Sequence, residues 1–170
     1  MSLDGFNLSA LVQELNDQIA GGRIDKIFQL DKFTLLLWIR VPGQTLKLIL
    51  SGNPEQAGIY LTSGNFENPP QPPSFCMLLR KHLEDGRVAQ IVQQELDRVI
   101  YIDIDTLGPQ GTIITQRLIF EIMGKLSNII FVHDNVIIDS LRRVGLNINR
   151  FRQILPGKIY ELPPGQQKIN

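Results

Sequence analysis

The sequence predicts an α+β domain, mainly an antiparallel β-sandwich flanked by two helices. Two stretches carry apolar residues at helical spacing, and many short bursts of apolar and β-branched residues are separated by turn residues at hairpin-length intervals. With 170 residues, of which 43% are hydrophobic and 20% are charged, the chain is long enough to bury a core as one domain. We therefore expect one domain over residues 1–165, with residues 166–170 beginning a linker.

The first half of the chain predicts a helix followed by an antiparallel meander. Gly21-Gly22 ends the helix, because glycine is the weakest helix former after proline. The apolar face of this helix is formed by Leu8, Leu11, Val12, Leu15 and Ile19. The strands that follow are predicted at residues 23–29, 34–41, 45–51 and 58–62.

The second half begins with a proline-rich connector at residues 68–73, which excludes both helix and central strand there. Ser74 is predicted to cap a second helix over residues 75–83, and Gly86 to close it. The strands after it are predicted at residues 87–94, 98–105, 112–123, 128–133 and 136–141.

Composition excludes several functional classes. The chain has 17 basic and 17 acidic residues, so its overall charge does not indicate a nucleic-acid binder and the distribution of charge must decide. A single cysteine, Cys76, cannot form an internal disulfide or a multi-cysteine zinc site, and it indicates a reducing compartment. No apolar run is long enough to span a membrane. We expect a cytoplasmic protein without membrane association.

The sequence lacks the common signatures of enzymes. It has no glycine-rich phosphate loop, no paired-histidine zinc helix and no hydrolase serine elbow. Neither His82 nor His133 has a second ligand at the spacing that a metal requires. We therefore expect no catalytic residues, no metal and no cofactor.

Asp97 and Arg98 interrupt two strand-like runs and are predicted at a hairpin tip or strand start. Arg98 is suited to bind a phosphate bidentately or to stack on a base, and Asp97 to orient it or accept from a ribose hydroxyl. The alternative is a solvated turn with an ordinary surface ion pair. Composition alone favours that alternative.

A second polar feature is the run from Glu121 to Asn128, where an apolar strand is followed by small and charged residues around Gly124. Glycine allows another backbone to approach, Lys125 adds charge, and Ser127 and Asn128 are able to donate to phosphate or sugar oxygens. The alternative is a plain strand-turn-strand unit with Gly124 at a bulge.

A third feature is electrostatic. Five cations and no acids occur between residues 140 and 160, which suits a polyanion. An ordinary solvated basic surface explains the same pattern. The residues are Arg142, Arg143, Arg150, Arg152 and Lys158.

These segments also resemble a known family, that of the NFACT-N domain of RqcH-like, or fibronectin-binding-protein-A-like, proteins related to NEMF. The resemblance covers essentially the whole chain. It rests on residues 21–27, on the proline-to-helix string 66–83, on Leu96-Asp97-Arg98, on the run 121–128, and on Leu155-Pro156-Gly157 with Tyr160 and Pro163-Pro164.

The resemblance implies a cytoplasmic factor that binds large ribosomal subunits obstructed by peptidyl-tRNA and recruits tRNA, in bacteria for C-terminal alanine tailing of stalled chains. It implies tRNA engagement by Asp97, Arg98, Glu121, Ile122 and Met123, to which the residue chemistry adds Lys125, Ser127 and Asn128. Arg142, Arg143, Arg150 and Arg152 are expected to contact the RNA backbone. Full-length members add helix-hairpin-helix, coiled-coil and C-terminal RNA-binding domains, so we expect that this module alone does not tail.

The family's N-terminal domain is also similar in fold to that of formamidopyrimidine-type DNA glycosylases. Those enzymes attack the sugar with the amine of a proline that follows the initiator, whereas this chain has Ser2 there. Without that amine the covalent chemistry has no replacement, so we expect no glycosylase activity. The alternative function, from the family's older name, is a surface adhesin that binds fibronectin; the absence of a signal segment counts against it.

Overall fold

A computed structural model describes residues 5–94 and 97–163 of the chain. Within these ranges, neither helix is long and apolar enough to cross a membrane. The helices are α1 (Gly5–Ile19) and α2 (Ser74–Leu83), and the strands are β1 (Arg23–Asp31), β2 (Thr34–Val41), β3 (Gln44–Ser51), β4 (Gly58–Thr62), β5 (Arg87–Gln93), β6 (Val99–Leu107), β7 (Ile113–Glu121), β8 (Asn128–His133) and β9 (Val136–Ser140).

These elements agree with the sequence-based prediction except at some ends. Ser74 is not the cap of α2: Pro73 occupies the N-cap position, and no side chain caps the helix. The Pro73 carbonyl instead accepts a hydrogen bond from the Met77 amide, at 3.1 Å. The predicted linker at residues 166–170 lies outside the described residues.

All nine strands belong to one antiparallel sheet in the order β4-β3-β2-β1-β5-β6-β7-β8-β9. The sheet consists of a first meander, β1 to β4, and a second meander, β5 to β9. A single register pair, Arg23 with Arg87, joins them. Four backbone hydrogen bonds of 2.7–2.8 Å between residues 21–24 and 85–88 extend this seam.

Glycines occupy tightly packed positions on both sides of the seam. A Cβ added to Gly22 would lie 2.6 Å from Ile39 Cγ2, and one added to Gly86 would lie 2.8 Å from Ile104 Cγ2. Both distances are below any ordinary contact between carbon atoms. Neither position has room for a side chain, because Ile39 of β2 and Ile104 of β6 fill that space.

The sheet curls so that its two meanders pack face to face. Gly52 follows β3 and Ser127 precedes β8, six strands apart in the sheet order, which would be about 29 Å in a flat sheet. A Cβ added to Gly52 would nevertheless lie 3.6 Å from the Ser127 Cβ. The two layers predicted from the sequence are thus halves of one continuous sheet.

One apolar core fills the space between the meanders. It includes inward residues of both meanders and of both helices. The predicted face of α1 is confirmed, with Leu8, Val12, Leu15 and Ile19 buried and Leu11 partly buried. Helix α2 packs against β1, where Arg80 Nε donates to the Ile27 carbonyl at 2.7 Å.

A C-terminal segment, residues 141–163, covers the outward face of the second meander. Isolated bridges pair Val144 with Ile154 and Val136 with Ile159. Beneath the segment lies a second apolar cluster, formed by Val99, Ile119, Ile130, Val132, Ile137, Ile154 and Tyr160. The strand pattern did not predict this cover, because residues 142–163 have no regular apolar period.

Candidate functional site

The fold brings the first two polar features of the sequence together. Strand β6 pairs with β7 so that Val99 lies opposite Glu121. One residue further out, the Ile122 amide donates to the Arg98 carbonyl at 2.9 Å. The tip of the β5–β6 hairpin and the end of β7 therefore form one candidate site.

Backbone contacts fix the Asp97–Arg98 tip. The Asp97 amide donates to the Gln94 carbonyl at 3.1 Å, and Gln93 Nε2 donates to the Asp97 carbonyl at 2.7 Å. Both Asp97 and Arg98 are half-buried. The predicted position at a hairpin tip is confirmed, and the tip is braced rather than loosely solvated.

Glu121 is fully buried, with 0% of its surface exposed. Arg152 reaches both carboxylate oxygens with its two terminal nitrogens, and the Tyr160 hydroxyl donates to Oε2 at 2.6 Å. Arg152 also donates to the Glu161 carbonyl, at 2.6 Å. Every strong donor around this carboxylate thus comes from the C-terminal segment.

The surroundings of this triad shift two pKa values in a consistent way. Burial, followed by the charge of Glu121 and its hydrogen bond, raises the pKa of Tyr160. Burial opposes the charge on Arg152, but its hydrogen bond and attraction to Glu121 prevail and raise the pKa of its guanidinium. The phenol is held protonated and the guanidinium charged.

The direct RNA contacts predicted for Glu121 and Arg152 do not agree with the burial of their side chains. Both side chains are inside the protein and satisfy one another, so neither presents atoms to an RNA. Ile122 is likewise buried. The structure gives Glu121 and Arg152 a different task, since their ion pair fastens the C-terminal segment to the end of β7.

The turn after β7 is held by its own polar residues. Ser127 Oγ accepts from the Met123 amide at 2.9 Å, which closes the short 3-10 turn Gly124–Leu126. Gly124 has a φ of +54° and no atom within 4 Å of an added Cβ. In the alternative interpretation of this run Gly124 lies at a β-bulge, whereas the structure places it in a turn whose backbone is open to solvent.

Asn128 and Arg142 join this turn to the C-terminal segment. Asn128 Oδ1 accepts from the Arg142 amide at 3.0 Å, and Nδ2 donates to the Arg142 carbonyl at 2.8 Å. The Arg142 guanidinium donates to the Lys125 carbonyl at 2.7 Å. The expected donation by Ser127 and Asn128 to phosphate is therefore corrected, because both side chains are buried and engaged within the fold.

The predicted basic patch is smaller than its sequence suggests. Arg143 pairs with Asp139 at 3.0 Å, Arg142 binds backbone carbonyls and Arg152 is buried. Arg150 and Lys158 remain exposed cations of the segment. Arg150 lies 5.8 Å from the ring of Phe151, which is 72% exposed.

Tyr160 is the site residue that sequence reasoning missed. It entered through the family resemblance, without a role. A usable signal existed, because Ile119 and Phe120 make both faces of this strand end apolar, so that a glutamate there is placed for burial and must then find a cation or donors. The sequence did not indicate that the partners lie 31 and 39 residues further along the chain.

A separate cleft of about 480 Å³ lies between the end of α2 and the β6–β7 hairpin. His82 and His133 line it, and His82 packs 5.6 Å from the ring of Phe131. Burial, with the charge of Lys81, lowers the pKa of His82. Throughout the described ranges, no group of three or more His, Cys, Asp or Glu residues is arranged to hold a metal ion.

Several known proteins are similar to this chain. The Bacillus subtilis protein named Rqc2 homolog RqcH is 43% identical over 172 residues, covering 100% of this chain and 30% of the relative. The human ribosome quality control complex subunit NEMF is 28% identical over 149 residues, covering 86% of this chain and 12% of NEMF. The chain spans about a third or less of the curated relatives it matches.

Solved structures agree. The N-terminal domain of the fibronectin-binding protein PavA from Streptococcus pneumoniae superposes with a TM-score of 0.91 at 41% identity, covering 96% of this chain and 62% of that one. The fibrinogen-binding protein from Staphylococcus aureus has a TM-score of 0.84 at 37% identity, covering 98% of this chain and 58% of that one. The family model for the NFACT N-terminal and middle domains matches residues 4–170. The resemblance seen in the sequence is thereby confirmed, and the chain belongs to the NFACT_N family.

Proposed function

We propose that this chain is the tRNA- and ribosome-binding module of a ribosome-associated quality-control factor. The names of its relatives, RqcH in Bacillus subtilis and a ribosome quality control complex subunit in human, support the link to the ribosome. The observation that carries the proposal is the joining of Arg98 to Ile122, which builds one site from two separate polar segments.

The exposed part of this site suits the backbone of a tRNA. Arg98 stands half-buried at a braced tip, and a guanidinium binds phosphate bidentately when its position is fixed. Lys125 is exposed on the neighbouring turn, beside the open backbone of Gly124. Asp97 and Met123, both half-buried, complete the surface. We expect direct contacts from Arg98 and Lys125.

The buried residues of the site hold the exposed residues in position. Glu121 and Asn128 bind Arg152 and Arg142, so they fix where the turn and the C-terminal segment lie. We expect substitution of Glu121 or Asn128 to weaken tRNA binding by displacing Arg98 and Lys125. The loss of affinity should then accompany a loss of stability, which separates these residues from the direct contacts.

We further propose that the complete protein binds obstructed large subunits carrying peptidyl-tRNA in the cytoplasm and recruits tRNA for C-terminal alanine tailing. This chain matches 30% of the length of RqcH, so we assign it RNA contact alone. We also propose that it is not an enzyme. Should the fold share the architecture of formamidopyrimidine-type glycosylases, Ser2 still supplies no secondary amine, and borohydride should trap no adduct with oxidised-base DNA.

Arg98→Ala and Asp97→Ala test the site in a titration of fluorescently labelled tRNA, followed by anisotropy. A charged hydrogen bond is worth about 1.5–3 kcal/mol, so Arg98→Ala should weaken binding roughly tenfold or more. Lys81→Ala, which removes an exposed cation from α2, is the matched control. Cosedimentation with stalled large ribosomal subunits measures ribosome binding by the same variants. Wild-type affinity and yield for both variants, or an equal loss for Lys81→Ala, would show that the site is wrongly assigned.

A second candidate function is binding of fibronectin. Two solved relatives are named for fibronectin or fibrinogen binding, and the C-terminal segment exposes Leu146, Ile148 and Phe151, which suit a protein partner. Saturable binding of the purified chain to immobilised fibronectin, weakened by Phe151→Ala and accompanied by exposure on intact cells, would support it. Binding that does not saturate would rule out fibronectin binding as a function.

A further inference from the structure

The outward face of the first meander, continued onto the adjoining β5, carries cations in two parallel rows. Alternate residues of β2 enter the core, so Trp38 and Arg40 point to the other face. Register pairs extend that face across the neighbouring strands. The arginine row is Arg40, Arg23 and Arg87, on β2, β1 and β5. The lysine–tryptophan row is Lys26, Trp38 and Lys47, on β1, β2 and β3.

The arginine row sets like charges directly opposite one another. Arg23 is the register partner of both Arg40 and Arg87, an arrangement that destabilises a sheet. Arg23 pairs with Asp25 at 2.8 Å, whereas Arg40 and Arg87 donate to the neutral acceptors Thr45 Oγ1 and the Gly21 carbonyl. Asp105 of β6 lies opposite Arg87 in register, so three exposed cations face two carboxylates, Asp25 and Asp105, which leaves an excess of one positive charge.

The lysine–tryptophan row adds two more cations around an aromatic ring. The ammonium groups of Lys26 and Lys47 lie 5.4 and 5.2 Å from the ring centre of Trp38. Phe28 meets the same ring edge-on, with centroids 5.5 Å apart, and Arg80 lies over Phe28. Among the described residues, Trp38 Nε1 is a buried donor without an acceptor. The ring helps to hold the exposed Lys26 in place, while the half-buried Lys47 is also held by hydrogen bonds from its ammonium group to the Gly64 carbonyl and Asn65 Oδ1.

We propose that this face binds the sugar-phosphate backbone of a single RNA strand. Two rows of cations about 7 Å apart on a sheet, one of them with Trp38 between its two lysines, match the charge and the stacking faces of unpaired RNA. The face is distinct from the candidate site. Arg87 pairs with Asp105 at one end of β6 and Val99 pairs with Glu121 at the other, six residues or about 20 Å away. This proposal goes beyond the proposed function and does not depend on it.

The chain contains one tryptophan, so its fluorescence reports from this face. A twelve-nucleotide oligouridine titrated into the chain should change the Trp38 emission saturably. Arg23→Gln with Arg40→Gln, which leaves the lysines around Trp38 in place, should weaken this binding at least tenfold and lower its dependence on salt. Lys26→Gln with Lys47→Gln should weaken it similarly.

Lys81→Gln with Lys158→Gln is the control, because it removes the same charge from exposed positions off this face. Arg98→Ala should reduce tRNA binding and leave the Trp38 response intact, so the two proposals fail separately. The inference is overturned if oligouridine leaves the Trp38 emission unchanged, if the control weakens binding as much as the arginine pair, or if polyglutamate of equal charge produces the same response.

Discussion

The outward faces of the two meanders differ in how their charged side chains are paired. On the first meander and the adjoining β5, Arg23 lies between Arg40 and Arg87, and the row is open to solvent. On the second meander, opposite charges are matched: Asp103 pairs in register with Arg117 at 2.7 Å, and Glu121 with Arg152 beneath the C-terminal segment. Charged side chains are thus only partly paired on the first face and are matched with opposite charges on the second.

Solvation explains the difference. Exposed like charges are tolerated because water and salt screen them, while a buried ion is stable only when it is paired and hydrogen-bonded. Substitutions should therefore have large effects under the C-terminal segment and small effects on the arginine row. Four predictions test that contrast, from the largest expected effect to the smallest.

Glu121→Ala should lower the free energy of unfolding by about 3–5 kcal/mol, because it leaves Arg152 charged and buried without its partner. Urea denaturation measures the change. Glu67→Ala, an exposed glutamate, should change it by less than about 0.5 kcal/mol. A loss below about 1 kcal/mol in Glu121→Ala would mean that the covered face is not held by this pair.

Asn128→Ala should cost about 2–3 kcal/mol, since it removes the side-chain partners of both the amide and the carbonyl of Arg142. Hydrogen exchange should show faster exchange at residues 141–144 than in α1. Exchange that stays at the wild-type rate there would contradict a fastening role for Asn128.

Tyr160→Phe should cost about 1–2 kcal/mol, because Glu121 keeps Arg152 but loses one donor. The variant should also change the pH dependence. Burial and Glu121 raise the pKa of Tyr160 above its ordinary value of 10.0, so above that pH the unfolded chain loses the proton first and stability falls.

In the variant this fall should be shallower, although Tyr101, whose pKa is raised mainly by burial, retains part of it. Denaturation midpoints between pH 8 and pH 11 measure the slope. Identical slopes in both proteins would contradict the buried phenol.

Arg40→Gln on the open row should change the free energy of unfolding by a few tenths of a kcal/mol, in the stabilising direction, because it relieves repulsion by Arg23. The gain should vanish in 1 M salt, where the Debye length is about 3 Å. A destabilisation of more than about 1 kcal/mol would show that Arg40 supports the sheet and would weaken the contrast between the faces.

Most of the fold was predictable because its signals are local. Alternating apolar residues and turn residues placed β2, β4 and β8 at their observed bounds and the other strands within about two residues of theirs. The cover over the second meander was not predictable, because residues 141–163 fold against a surface that other strands create. The arginine row was hidden for a related reason, since Arg23 and Arg87 are distant in sequence and meet only in the sheet.

The candidate site was predictable in part. Local polarity identified the Asp97–Arg98 tip and the run from Glu121 to Asn128, and the family resemblance gave them a shared task. Neither the polarity nor the resemblance revealed that Glu121, Ser127 and Asn128 are buried. The sequence shows which residues are polar but not which residues they contact in the fold. Burial divides the predicted set into residues that reach the surface, such as Arg98 and Lys125, and residues that are fully buried, such as Glu121.

The glycines at the seam between the meanders restrict how chimeras of this domain are designed. Gly22 and Gly86 come from different meanders, yet each leaves room for the side chain of a neighbouring strand, Ile39 or Ile104. Ile39 lies in the same meander as Gly22, and Ile104 in the same meander as Gly86, so a chimera must take each glycine and the isoleucine beside it from the same protein. The long connector before α2 makes no such demand, so the practical place to graft or lengthen the chain is the proline-rich stretch, and the place to leave untouched is the seam.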